Sequence, residues 1–210
     1  MKLPVELQFI TNSRLPQKTT AARLNGKVCI ITGATSGVGY QAARHLAQAG
    51  AHLVLVCRNL QKATNVQQEL QQSYGNPVDV IQADFSRLAD VRHAATQILT
   101  TYPHIYALIN NAGLHMLRRT MTDDGFETVF AVNHLASFLF TRLLLARLLA
   151  SAPARIIQVN SQGHRFGGLN LDDLTWKKRP YIGLLGYGAS KTAQLFTVWE
   201  FADHLQGSGV

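Results

Sequence analysis

A tyrosine and a lysine four positions apart, as in Tyr187-Gly-Ala-Ser-Lys191, put a phenol and an ammonium on one face of a helix. Such a pair can give up and take back a proton. Free tyrosine has a pKa of about 10, so acid-base work near neutrality needs a fall of about 3 units, or about 4 kcal/mol. A neighbouring ammonium supplies that much only in a partly dry cleft. Two charges about 4 Å apart interact by about 1 kcal/mol in water and by about 4 kcal/mol at an effective dielectric of 20. The same spacing also suits an ordinary helix with an exposed lysine and a half-buried tyrosine. What surrounds the pair decides between these readings.

The elements that must position it begin at Lys27. Val28-Cys-Ile-Ile31 is a continuous β-rich apolar run of the kind buried in a parallel sheet. It leads into Thr32-Gly33-Ala-Thr-Ser36-Gly37-Val38-Gly39 and then a helical pattern from Tyr40 to Ala49. In a strand, glycine turn and helix, the glycines let backbone approach a ligand, and the helix N-terminus offers free N–H groups to a pyrophosphate. The alternation continues with strands over His52 to Cys57, Val78 to Ala83, Ile105 to Asn110 and Arg155 to Asn160. Helices are predicted over Leu60 to Tyr74, Leu88 to Thr101, Asp124 to Ala150 and Tyr187 to Leu205. Successive βα units imply a doubly wound parallel sheet, an α/β Rossmann fold. Residues 1–24, with Pro4 and Pro16, read as an N-terminal extension and residues 25–210 as one dinucleotide-binding domain.

Cofactor choice is written after the second strand. An acid there binds a ribose 2′-hydroxyl and a cation accommodates a 2′-phosphate. This chain has Arg58-Asn59 and no acid from His52 to Lys62, which favours NADP over NAD. Asp84 and Phe85 follow the third strand, where Asp84 can bond an adenine amino group or simply form a turn. The fourth strand ends in Asn110-Asn111-Ala112-Gly113, small and amide-bearing residues that allow close approach of a ligand. Asn133 stands among Phe130, Val132 and Leu135, a poor place for a side chain that competes with helical hydrogen bonds. The fifth strand delivers Ser161 to the same carboxyl edge, followed by Gln162, Gly163 and His164.

Composition narrows the function classes. The chain has 210 residues, is 47% hydrophobic and carries a net charge of +8, but its cations are scattered. The one tight run, Lys177-Lys178-Arg179, reads as a solvated loop and not as a nucleic-acid patch. Cys29 and Cys57 lie in apolar strands and read as reduced core residues. No Cys/His spacing suits a metal. The most apolar run, Phe138 to Ala150, is interrupted by Arg142 and Arg147, so no transmembrane segment is expected. The expected location is cytoplasmic, with peripheral membrane contact allowed.

Taken in order, Thr32-Gly33-x3-Gly37-x-Gly39, Asn110-Asn111-Ala112-Gly113, Asn133, Ser161 and Tyr187-x3-Lys191 resemble the short-chain dehydrogenase/reductases. Cys57-Arg58-Asn59, Val132-Asn133-His134-Leu135, Asn160-Ser161-x2-His164 and Leu171-Asp172-Asp173-Leu174 are similar to the branch of retinol dehydrogenases and the WW domain-containing oxidoreductase. Protochlorophyllide reductases share several of these features. The resemblance implies an NADP-dependent oxidoreductase acting on a hydroxyl or carbonyl of a small apolar substrate. It gives Tyr187 the proton, Lys191 the tuning of Tyr187 and the nicotinamide ribose, Ser161 the substrate oxygen, and Asn133 a water leading to Lys191. Thr32, Gly33, Ser36, Gly37, Val38, Gly39, Arg58, Asn59, Asp84, Phe85, Asn111, Ala112 and Gly113 would hold the cofactor with Tyr187 and Lys191. The apolar helices 138–150 and 195–205 would suit a homodimer or homotetramer. Two departures are local: Asn160 replaces a common serine, and the gap from Ser161 to Tyr187 is long. The third is larger. Relatives continue with another strand, a Pro-Gly turn, a substrate-covering segment and a final strand, whereas this chain stops at Gly209-Val210, implying a C-terminally truncated domain. A nucleotide-binding or interaction protein without turnover is the competing class.

Overall fold

Five apolar runs form five parallel strands in the computed structural model, which describes residues 20–210. They are β1 (Val28–Thr32), β2 (His52–Cys57), β3 (Val78–Gln82), β4 (Ala107–Asn110) and β5 (Arg155–Gln158), in the order β3-β2-β1-β4-β5. Five helices connect or follow them: α1 (Gly37–Gln48), α2 (Leu60–Tyr74), α3 (Leu88–Thr101), α4 (Thr128–Ala150) and α5 (Gly183–His204). The chain winds outward from β1 through β3, then returns to lay β4 against the other side of β1. That reversal opens a crevice at the carboxyl ends of β1 and β4, where open α/β sheets bind ligands. Most of the proposed extension, residues 1–19, lies outside the described residues; residues 20–24 form no helix or strand.

Alternating strand side chains face opposite sides of the sheet, and each side meets two helices. Ile30, Val54 and Leu108 pack with Ile98 of α3 and Phe140 and Leu144 of α4. Cys29, Ile31 and Leu55 pack with Ala43 of α1 and Leu70 of α2. Each fully buried Ile or Leu contributes about 1.5–3 kcal/mol. Cys29 and Cys57 are free and buried, and desolvation pushes both thiols up, Cys29 to about 11. At the end of the order β5 is less covered, with Ile157 47% exposed.

Several predicted boundaries move, for local reasons. Helix α1 begins inside the glycine turn, at Gly37 instead of Tyr40. Helix α4 begins at Thr128 instead of Asp124, because the Glu127 carboxylate accepts from the N–H groups of Val129 and Phe130. Asp124 instead caps α3, accepting from Leu88 N at 2.8 Å. Helix α5 begins at Gly183 and not at Tyr187, following Pro180 and an extended Ile182. β4 starts two residues later and β5 ends two residues earlier than expected. By length and composition α4 is apolar enough to cross a membrane, and 56% of its most apolar window is buried inside the fold. Arg147, one of its two interrupting cations, bonds the carbonyls of Leu99 and Tyr102.

Candidate active site

The glycine turn and the end of β4 are fastened to each other before any ligand is considered. Thr32 is fully buried, and its hydroxyl accepts from Asn111 N at 3.0 Å and Ala112 N at 2.9 Å. Asn111 Nδ2 donates back to the carbonyls of Thr32 and Gly33, both at 3.0 Å. Thr32, predicted to contact the cofactor, therefore acts through the turn it holds. A Cβ on Gly39 would lie 2.3 Å from Asn111 Nδ2, and one on Gly33 2.9 Å from Ala112 Cα, so the approach of these turns needs glycine at both places. Gly37 has φ +57 and open space around it; it meets a backbone requirement and not a packing one.

Beyond the turn lies a cleft of about 530 Å³ that brings together most of the predicted cofactor residues. Gly33, Ser36, Val38 and Gly39 form one wall, Arg58 and Asn59 the far end, and Asn111, Ala112 and Gly113 the wall beneath β4. Ser36 makes no side-chain cap and the first turn of α1 carries no acid, leaving the free N–H groups of the helix for an anion. Arg58 is exposed and is joined by Lys62 in the first turn of α2, whose start is capped by Asn59 Oδ1 at 2.9 Å from Lys62 N. Asp84 Oδ1 accepts from Ser86 N and Oγ at 2.9 and 2.8 Å, forming a turn, and the residue also lines the cleft at its rim. Phe85 is buried, edge-on to Phe140. These groups fit a dinucleotide with an extra phosphate: free helix N–H groups for the pyrophosphate and two cations where a 2′-phosphate would lie.

Across the crevice, Tyr187 and Lys191 sit on α5 beneath the turn that follows β5. Gly163 of that turn lies on the tyrosine ring, since its Cβ would be 2.6 Å from Tyr187 Cε1. Ser161 caps the turn, its Oγ accepting from Gly163 N at 3.1 Å. Asn160 Oδ1 accepts from Ser161 N at 2.6 Å while its Nδ2 donates to Lys191 O at 3.0 Å, so the replaced serine position ties the segment after β5 to α5. Lys191 is 4% exposed, unlike the exposed lysine of the ordinary-helix reading. Its Nζ donates to Val159 O at 2.9 Å and Gln194 Oε1 at 3.1 Å, and lies 5.8 Å from the centre of the Tyr187 ring. On the cleft side it comes within 3.8 Å of where a Gly113 Cβ would stand. Burial without a carboxylate partner pushes the ammonium down to about 8.

Asn133 is fully buried in a π turn, Ala131–Leu135, inside α4. Its Oδ1 accepts from Leu114 N at 2.8 Å, and its Nδ2 donates to Leu114 O and Ser190 Oγ, both at 3.0 Å. Ser190 Oγ in turn donates to Tyr187 O at 2.7 Å. The asparagine that suits no ordinary helix interior thus joins the end of β4 to α5.

Several residues near the site, Thr35 and Leu114 of the cleft lining among them, were not marked by the sequence, and three stand out. His115 packs edge-to-face on Tyr187, with centroids 5.7 Å apart; Lys62 lines the cleft; and Gln194 receives Lys191. Only Gln194 carried a local signal, a polar residue one turn beyond Lys191 between Ala193 and Leu195. In the long loop, Lys177 and Lys178 are exposed as expected, but Arg179 stacks on Trp176 at 3.7 Å and pairs with buried Asp173 at 3.7 Å.

The profile described as short chain dehydrogenase matches residues 27–172. Human retinol dehydrogenase 13 is 38% identical over 203 residues, 96% of this chain and 60% of that protein. Mouse retinol dehydrogenase 12 is 42% identical over 193 residues, 91% of this chain and 61% of that protein. The chain thus spans about 60% of the length of these relatives. A metagenomic short-chain oxidoreductase solved in complex with NADP superposes with a TM-score of 0.72 at 27% identity, covering 88% of this chain and 79% of that one.

Proposed function

Because the chain belongs to the short-chain dehydrogenase family, we propose that it is an NADP-dependent oxidoreductase that interconverts a hydroxyl and a carbonyl on a small apolar substrate. The observation that carries this reading is the buried Lys191 ammonium, set between the Tyr187 ring and the Gly113 end of the cleft. A bound nicotinamide supplies or accepts the hydride. The protein's own groups do the rest. Arg58 and Lys62 would meet the 2′-phosphate, and the free N–H groups of α1 would meet the pyrophosphate. Ser161 donates a hydrogen bond to the substrate oxygen, and the Tyr187 phenol gives that oxygen a proton in reduction or removes one in oxidation. Lys191 presents its remaining N–H to the ribose side of the cleft. Asn133 keeps Leu114 and Ser190, and through Ser190 the backbone of Tyr187, in place.

An apolar substrate is supported by what stands near the mouth. Segments 114–117 and 181–184 meet at Gly183, whose Cβ would lie 2.4 Å from Met116 O, and Leu117, Ile182 and Leu184 project into solvent around that contact. The names of the two retinol dehydrogenases point the same way. Incubation with NADPH and a panel of apolar aldehydes and ketones, following NADPH absorbance, tests the reading. Turnover that disappears in Tyr187→Phe supports it. Tight NADPH binding with no turnover on any member of the panel would leave a nucleotide-binding protein instead.

A further inference from the structure

The Lys191 ammonium is received by a side chain to which the proposed chemistry assigns nothing. Gln194, one turn further along α5, is 1% exposed. A lysine ammonium only donates, so the Gln194 atom 3.1 Å from Nζ is the amide oxygen. That turns the amide NH2 the opposite way, toward Asn133 O at 3.4 Å and Gln158 Oε1 at 3.1 Å. The orientation of the amide is thereby set from both sides. The Asn133 carbonyl it reaches belongs to the π turn and also accepts from Ser137 Oγ at 3.1 Å. Asn133 and Lys191 are therefore linked through Gln194 and the Asn133 carbonyl, while the asparagine side chain bonds Leu114 and Ser190.

We propose that Gln194 is the positioning residue of Lys191: its amide, anchored on the π turn and on β5, holds two neutral bonds' worth of direction on the ammonium together with Val159 O, and so aims the third N–H at the cleft. The inference rests on the reading of Tyr187 and Lys191 given above and deepens it. Both acceptors on Nζ are neutral oxygens. Among the described residues, no titratable side chain bonds Nζ. Tyr187, on the same helix, presents its ring 5.8 Å away. His164, in the turn after β5, bonds Ser161 O. His134, in the π turn, faces Thr197 and stacks with Phe138. Glu127, at the start of α4, bonds Val129 N and Phe130 N. Among the described residues, no carboxylate forms an ion pair with Lys191. With neutral partners only, the charge of Lys191 depends on each acceptor it keeps.

The test is an NMR titration of lysine side-chain resonances in the full chain, with the Lys191 signal assigned by its loss in Lys191→Arg. Gln194→Met keeps the volume and removes the acceptor, and its Lys191 midpoint is expected to fall by about one pH unit or more. Gln194→Glu supplies a charged acceptor, and the midpoint is expected to rise by a similar amount. Midpoints equal to the parent's in folded Gln194→Met or Gln194→Glu overturn the proposal; either variant alone decides it if the other does not fold. In NADPH oxidation the alkaline limb of the rate should move with the midpoint, with kcat affected more than the substrate KM. A parent chain that turns over no substrate defeats the proposed activity, and the titration still reads the role of Gln194.

Discussion

On the β1–β2 side of the crevice the cleft is shaped by backbone and by side chains that are missing, whereas on the β4–β5 side it is shaped by polar side chains that are buried. Gly33 and Gly39 are required because Ala112 and Asn111 fill the space a Cβ would take. Across the crevice Asn133, Ser190, Lys191 and Gln194 are each at most 4% exposed and bond one another or nearby backbone. The first side demands small size and free N–H groups. The second demands that every buried polar group keep its partner, because an orphaned one costs about 1–3 kcal/mol. The two sides should therefore fail differently.

The largest effect is expected from Tyr187→Phe, which removes the proton that the proposed function transfers while leaving the ring under Gly163: turnover should fall by about 10²–10⁴-fold with NADPH affinity preserved. An equal loss of affinity, measured by fluorescence titration, would place Tyr187 with the binding side instead. Next comes Asn133→Ala, which leaves Leu114 N and O without their partner and removes the bond that Ser190 Oγ accepts. We expect about 2–3 kcal/mol of lost stability in denaturant melts. Gly39→Ala should cost about 1–3 kcal/mol, because the nearest obstacles include the Gly33 carbonyl, 2.5 Å away, which cannot step aside. An unchanged midpoint there would mean that the turns are not locked together. Arg58→Ala should lower the preference for NADP over NAD by about tenfold with little change in melting, measured as the ratio of the two dissociation constants.

The smallest and most discriminating test is pH. Lys191 titrates near 8 in the folded chain and near 10.5 when unfolded. Below about pH 8 both states carry the proton, and the folded state bears the cost of a desolvated ammonium. Between about 8 and 10.5 the unfolded chain binds a proton that the folded chain has released, so this group's contribution to stability rises with pH. If, as proposed, the ammonium faces the cofactor ribose, NADPH affinity should fall over the same rise. The buried thiols Cys29 and Cys57 act oppositely on stability, since their pKa values are raised above 9.0. Subtracting the Lys191→Met profile from the parent's isolates the lysine; parallel profiles would mean that Lys191 is not desolvated.

How readable each side was follows from the same difference. Strand–turn–helix patterns are short-range, so β2, α2 and α3 appear with their predicted bounds, and the glycines of the first turn announce a backbone constraint. The place of Arg58 beside the cleft was legible because its position after β2 is set by chain count alone. The start of α4 was not: Asp124 looks like a helix beginning but caps α3 from 36 residues away, and no local rule reveals a long-range cap. Arg179 likewise looked solvated until Trp176 and Asp173 met it.

By itself the sequence determined the alternation of strands and helices, the parallel winding it forces, and the chemical types at the carboxyl edge, because periodicity, glycine placement and residue order are properties of the chain. Only the tertiary structure decided what those groups touch. It turned Thr32 from a ligand contact into a strut, placed Asn133 in a π turn facing Leu114, and buried Lys191 against Val159 and Gln194. The reason is desolvation: a side chain's charge and direction depend on which distant oxygens exclude water from it, and those are brought together only when β4, β5 and α5 pack.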